Sequence, residues 1–164
     1  MTGAAARVLV IGVGNPDRGD DGVGCAVATR LEAMGLPGVA VAHMNGEIAA
    51  LIERMADESI VYLVDACQSG ALPGKVRRID AAREALPPES PAASTHGLGL
   101  AQAVELARTL GQLPPTCVLY AIEGAQFEVG AALSPVVERA CAEVARRLRD
   151  ELTTTALGKG VQHA

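Results

Sequence analysis

The chain has 164 residues, about the size of one ordinary domain, and its 19 acidic and 14 basic residues give a formal net charge of −5. That balance argues against nucleic acid or an anionic membrane surface as a partner. Hydrophobic residues make up 49% of the chain but aromatics only 2%, with no Trp, so the core must be aliphatic and alanine-rich. No apolar run approaches the ~20 residues of a membrane span. The N-terminal MTGAAARVLVIG runs straight into a strand-like segment without a separate hydrophobic region and cleavage site, so it does not read as a signal peptide. Together these features suggest a cytoplasmic protein. Its four cysteines, Cys25, Cys67, Cys117 and Cys141, form no C-x-x-C pair and are expected to be reduced there. The first, third and fourth read as small buried hydrophobes.

Strand-like and helix-like segments alternate, which predicts a single α/β domain: a sheet with helices on both faces. Residues 7–13 (RVLVIGV) are a continuous apolar run of the kind found in a parallel strand buried on both faces. A helix is expected from about Asp21 to Met34, with Val23, Val27, Leu31 and Met34 at helical spacing and Gly35 and Pro37 stopping it. Residues 39–43 read as a second strand. Ile48, Leu51, Ile52 and Met55 mark the next helix. Residues 59–66 (SIVYLVDA) are the clearest central strand, with five apolar residues ending at Asp65. A short strand around Lys75 to Ile79 carries charges that suit an edge. The Pro-, Ser- and Ala-rich stretch ALPPESPAAST reads as a loop. A helix is expected from about Gly99 to Leu110, stopped by Gly111, and a buried strand at 116–122. The last helix starts with Ser134 as N-cap and Pro135 at its first position, with Val137, Cys141, Val144 and Leu148 as its apolar stripe. Arg146, Arg147 and Arg149 near its end suit the helix dipole. The domain is expected over residues 7–151, with 152–164 as a disordered tail.

Functional groups of such sheets gather beyond the carboxyl ends of the strands. The loop GVGNPDRGDDGVG follows the first strand and carries Asp17, Asp20 and Asp21. Asp65 directly follows five buried apolar residues, where a carboxylate is costly without a partner or ligand. His96 stands in STHGLGL, just before a helix. Each has a plainer reading: Asp65 as a turn aspartate satisfied by backbone amides, and His96 as part of a helix start. His43 could be a core imidazole, Glu47 a residue of a first helical turn, Glu123 a solvated side chain at a strand end, and His163 part of the tail. Two or three carboxylates with one histidine suit a divalent metal site or general acid–base chemistry, and the pattern does not choose between them.

A nucleotide is disfavoured. A dinucleotide fingerprint needs glycine at positions 12, 14 and 17, but position 17 is Asp; a P-loop needs Gly-Lys-Ser/Thr, which is absent. The three aspartates would repel a pyrophosphate. There is also no G-x-S-x-G and no H-E-x-x-H.

Three motifs in order, GVGNPDRGDDGVG (Gly12–Gly24), VDA (Val64–Ala66) and THGLGL (Thr95–Leu100), resemble those of the hydrogenase maturation proteases. These are endopeptidases that trim the C-terminus of the nickel–iron hydrogenase large subunit. The resemblance implies a twisted, mostly parallel sheet of about five strands between helices. It implies Asp21, Asp65 and His96 as the metal-contacting and catalytic residues, with Asn15 shaping the first loop. It implies nickel supplied by the substrate, the large-subunit precursor, as the metal involved. In place of the Asp-Gly-Gly-Thr-like turn of many members the chain has HMNGE (His43–Glu47), keeping only Gly46. The same ligands would also serve a non-proteolytic nickel chaperone, or another metal-dependent amidase or peptide hydrolase.

Overall fold

The computed structural model describes residues 7–86 and 95–161, with the side chains of 7–86 and 99–155 among them. Five strands form one sheet in the order β2-β1-β3-β5-β4. They are β1 (Val8–Val13), β2 (Val39–Met44), β3 (Ile60–Cys67), β4 (Val76–Asp80) and β5 (Thr116–Glu123). All pair in parallel except β4, which lies antiparallel on the edge beside β5. The edge position expected from its charges is the one it holds.

Among the described residues the four α-helices are α1 (Val23–Met34), α2 (Ile48–Met55), α3 (Thr95–Thr109) and α4 (Pro135–Val161). On one face, Val10, Tyr62, Val64 and Tyr120 pack against Val27 and Leu31 of α1 and Val144 and Leu148 of α4. On the other, Leu9, Ile11, Leu63 and Leu119 pack against Leu51 and Met55 of α2 and Leu100 and Val104 of α3. Strands covered on both sides need apolar residues at every position, which is why β1 and β3 read as unbroken runs.

The first turn of α1 is pressed onto the sheet through glycine. A Cβ on Gly24 would lie 2.2 Å from the Val64 carbonyl oxygen and 2.6 Å from that of Val13. A Cβ on Gly12 would lie 2.4 Å from the Gly24 carbonyl oxygen. The helix expected from Asp21 begins instead at Val23, after a 3-10 turn over Gly19–Gly22. The β5–α4 loop takes the amides that an α-turn would leave to solvent: Gly19 N–H bonds Ala131 O at 3.1 Å and Asp20 N–H bonds Gln126 O at 2.7 Å. Gly35 ends α1 in the left-handed conformation, as expected.

Three further boundaries differ from expectation. β3 runs on to Cys67, so Asp65 is part of the strand and not its terminus. α3 starts at Thr95, which puts His96 in its first turn and not ahead of it. Residues 87–94, most of the expected Pro-rich loop, lie outside the described residues. α4 runs to Val161, through part of the expected disordered tail. The hydroxyls of Thr153, Thr154 and Thr155 bond the carbonyls of Arg149, Asp150 and Glu151 at 2.7, 2.9 and 2.9 Å, keeping these residues in helical register.

Just ahead of these threonines, Glu151 ties the helix to three strands. Tyr62 Oη donates to Glu151 Oε1 at 3.0 Å, Arg78 Nε to Oε2 at 3.3 Å, and Tyr120 Oη also donates to Oε2. Arg147 lies 5.4 Å over the Tyr120 ring. Burial opposes ionisation of Glu151, but hydrogen bonds from Arg78, Tyr120 and Tyr62 prevail and hold its carboxyl below the ordinary glutamate value. A depressed carboxyl stabilises the fold at pH above its unfolded pKa, and that contribution is lost as pH falls through the folded one. Glu151→Gln is therefore expected to melt below the wild type at neutral pH. The gap should close as the pH falls below ~4. Thermal melts of both proteins across that range check it; a gap independent of pH would show that the charge is irrelevant.

Candidate active site

The parallel strands all end on one side of the sheet, where the 3-10 turn and the starts of the four helices also lie. Asp20, Asp21, Asp65 and Glu123 are all buried there, although each is a carboxylate. Such burial requires partners, and the partners separate these residues by role.

Asp20 is completely buried and is held by the β5–α4 loop. Its Oδ2 accepts the amides of Ala125 (2.8 Å) and Gln126 (2.9 Å). Its Oδ1 accepts the Ser134 amide at 2.7 Å, and the Ser134 hydroxyl donates to both oxygens. Ser134 was expected to cap α4 with that hydroxyl; it spends it on Asp20 instead. Glu123 does the same for the β3–β4 loop. Its Oε1 accepts the amides of Ser69 (2.9 Å) and Gly70 (3.1 Å), and its Oε2 accepts Ser69 Oγ (2.7 Å) and Cys67 Sγ (3.1 Å). The solvated side chain expected at this position is a loop anchor.

Asp21 and Asp65 sit differently. Asp21 Oδ2 accepts the Asn15 amide at 3.0 Å, while Asn15 Oδ1 accepts the Asp17 amide at 2.9 Å. Asn15 thus shapes the first loop, as the motif implied. Gly14, at φ 134°, allows the chain to pass: a Cβ there would lie 2.0 Å from the Asp21 carbonyl oxygen. Asp65 Oδ1 accepts the Ala66 amide at 2.8 Å. Both carboxylates act on one neighbour, Cys25, whose Sγ is 3.7 Å from the carbonyl oxygens of Gly12 and Gly14. Burial, then Asp65, then Asp21 push its thiol up to about 11. Two buried carboxylates from separate elements therefore lie within electrostatic reach of Cys25. The same shift keeps Cys25 protonated at neutral pH and unsuited to act as a nucleophile.

His96 lies in the first turn of α3, and its side chain is outside the described residues. The start of that helix is held against the β2–α2 loop, since a Cβ on Gly99 would lie 2.5 Å from the Gly46 carbonyl oxygen. Among the described residues, no three His, Cys, Asp or Glu side chains form a group able to hold a metal. The remaining candidates have other settings. His43 is partly exposed and pairs with Glu32 of α1, not with the core. Glu47 is exposed and precedes α2 without capping it. His163 is outside the described residues. Sequence reasoning passed over Arg77, which lies in the same cross-strand row as Asp65; only strand register could have revealed it.

This fold is that of the hydrogenase-maturing endopeptidases. The structure aligns with HybD from Escherichia coli at a TM-score of 0.72, 23% identical, covering 91% of this chain and 93% of that one. It aligns with HycI from Thermococcus kodakarensis at 0.70, 24% identical, covering 90% and 93%. A family model for hydrogenase maturation proteases matches residues 25–151, and the chain belongs to that family. A protein of Methanocaldococcus jannaschii, whose own assignment as a hydrogenase maturation protease is inferred, is 38% identical over 76 residues. That match covers 44% of this chain and 49% of the relative, so the chain spans about half the length of the curated relative it matches. Among the described residues no helix is long and apolar enough to cross a membrane.

Proposed function

We propose that this chain is a cytoplasmic endopeptidase that removes a C-terminal peptide from the nickel-loaded precursor of a nickel–iron hydrogenase large subunit. Family membership supports the reaction class. The observation that carries the site is the burial of the Asp21 and Asp65 carboxylates at the strand-end side of the sheet, from the 3-10 turn and β3, both within electrostatic reach of Cys25. With His96 from the first turn of α3 they make an oxygen, oxygen, nitrogen donor set, which suits a borderline divalent cation and leaves positions open. The nickel is part of the substrate. Asp21, Asp65 and His96 engage it when the precursor docks, and so test whether assembly is complete. One carboxylate then takes the proton of the attacking water. The glycine-bent first loop is formally like a phosphate loop, but its acids turn it toward a cation.

The test is the mass of a hydrogenase large subunit expressed with nickel, with and without this chain. The expected result is a shortened subunit only when the chain is present. A full-length subunit bound to the chain would make it a chaperone, and cleavage of small peptides without any effect on the precursor would make it a different hydrolase. Either outcome overturns the proposal.

A further inference from the structure

Asp65, Ala121 and Arg77 form one row across three strands: Asp65 pairs with Ala121 of β5, and Ala121 pairs with Arg77 of β4. Residues of one row project from the same face of a sheet. Here it is the α2–α3 face, because Leu63, Leu119 and Ile79, two residues along each strand, belong to that core. The ends of the row are two strand spacings apart, ~10 Å, a gap that an extended arginine side chain largely spans. Asp65 and Arg77 both line one small cavity, whose other walls include Ile79, Leu100, Leu119 and Ala121. Arg77 is partly buried, and among the described residues its guanidinium makes no ion pair and no side-chain hydrogen bond. Its neighbours differ: Arg78 is held by Glu151, Arg83 by Asp80 and Arg108 by Glu105. An arginine that lines an apolar-walled cavity together with a carboxylate is placed to receive an oxygen that becomes negative there.

We propose that Arg77 binds the carbonyl oxygen of the scissile peptide and stabilises the charge that gathers on it. This rests on the protease reading above. Water adds to the carbonyl carbon, and the C=O electron pair moves onto the oxygen beside the guanidinium. The C–N bond then breaks as the nitrogen takes the proton that the water gave up. The products are a carboxylate and an amine. The apolar walls exclude competing water and strengthen the contact.

The experiment measures precursor cleavage by wild type, Arg77→Gln, Arg77→Ala and Arg77→Lys, together with their melting temperatures. Arg77→Gln is expected to lower kcat by about 10²–10³-fold with KM changed only a few-fold. Free guanidinium below denaturing concentration should restore part of the Arg77→Ala rate, and an equal concentration of sodium chloride should not. Arg77→Lys keeps the charge and the packed stem; it should retain more activity than Arg77→Gln and keeps the test open if the shorter variants fail to fold. A normal kcat in Arg77→Gln, a loss confined to KM, or a loss that guanidinium leaves unchanged in folded protein overturns the inference alone. A wild type that leaves the precursor intact overturns the protease reading, and this inference with it.

Discussion

Asp65→Asn is expected to leave the nickel-loaded precursor essentially uncleaved while melting no lower than the wild type. The amide has the shape of the carboxylate and keeps the oxygen that accepts the Ala66 amide at 2.8 Å. It removes a charge from a residue that is 4% exposed, which eases desolvation. What it cannot do is take a proton from water or offer an anionic ligand to a cation. If Asp65 serves in either way, the rate should fall on the order of 10²–10⁴-fold. Asp21→Asn and His96→Ala should fall with it, because three groups acting as one unit are not additive. Single-turnover cleavage beside thermal melts separates the two effects. Wild-type cleavage by all three variants would remove them from the site. A folded-state loss of several kcal/mol in Asp65→Asn would instead make Asp65 a structural anchor of the kind Glu123 is.

That distinction was only partly legible in the sequence. The strands were readable because burial on both faces writes itself as an unbroken apolar run, and the charged β4 announced its edge. α2 was readable from four apolar positions, although Glu47 stands just ahead of its first turn and not in it. Helix starts were less so, because the turn before α1 is shaped by carbonyls of a loop more than a hundred residues away. The end of α4 was misjudged for a local reason: a run of threonines reads as poor helix, yet each hydroxyl finds a carbonyl four residues back. The carboxylates were all visible as charges near strand ends. Which of them hold loops depends on contacts such as Asp20 with Ser134 and Glu123 with Ser69, and no periodicity encodes those. The Asp65–Ala121–Arg77 row depends on register, which one sequence does not display.

Asp20 and Asp21 are adjacent, equally acidic and both buried, yet they should respond oppositely to substitution. Asp20→Ala strips the acceptor from the amides of Ala125, Gln126 and Ser134 and from the Ser134 hydroxyl. Buried donors left without partners cost ~1–3 kcal/mol each, though a loosened 124–134 loop would let water reach some of them. The expected loss is therefore ~3–5 kcal/mol. Asp20→Asn should recover part of it, since one oxygen remains while the new amide group faces donors it cannot accept from. Asp21→Asn should stay within ~1 kcal/mol of the wild type, because only the Asn15 amide depends on that carboxylate among the bonds described here and an amide oxygen still accepts it. Denaturant unfolding of the three variants measures all of this at once. An Asp20→Ala protein as stable as the wild type would mean that the loop finds its bonds in water. In that case Asp20 would no longer be the clasp that leaves Asp21 available to the substrate.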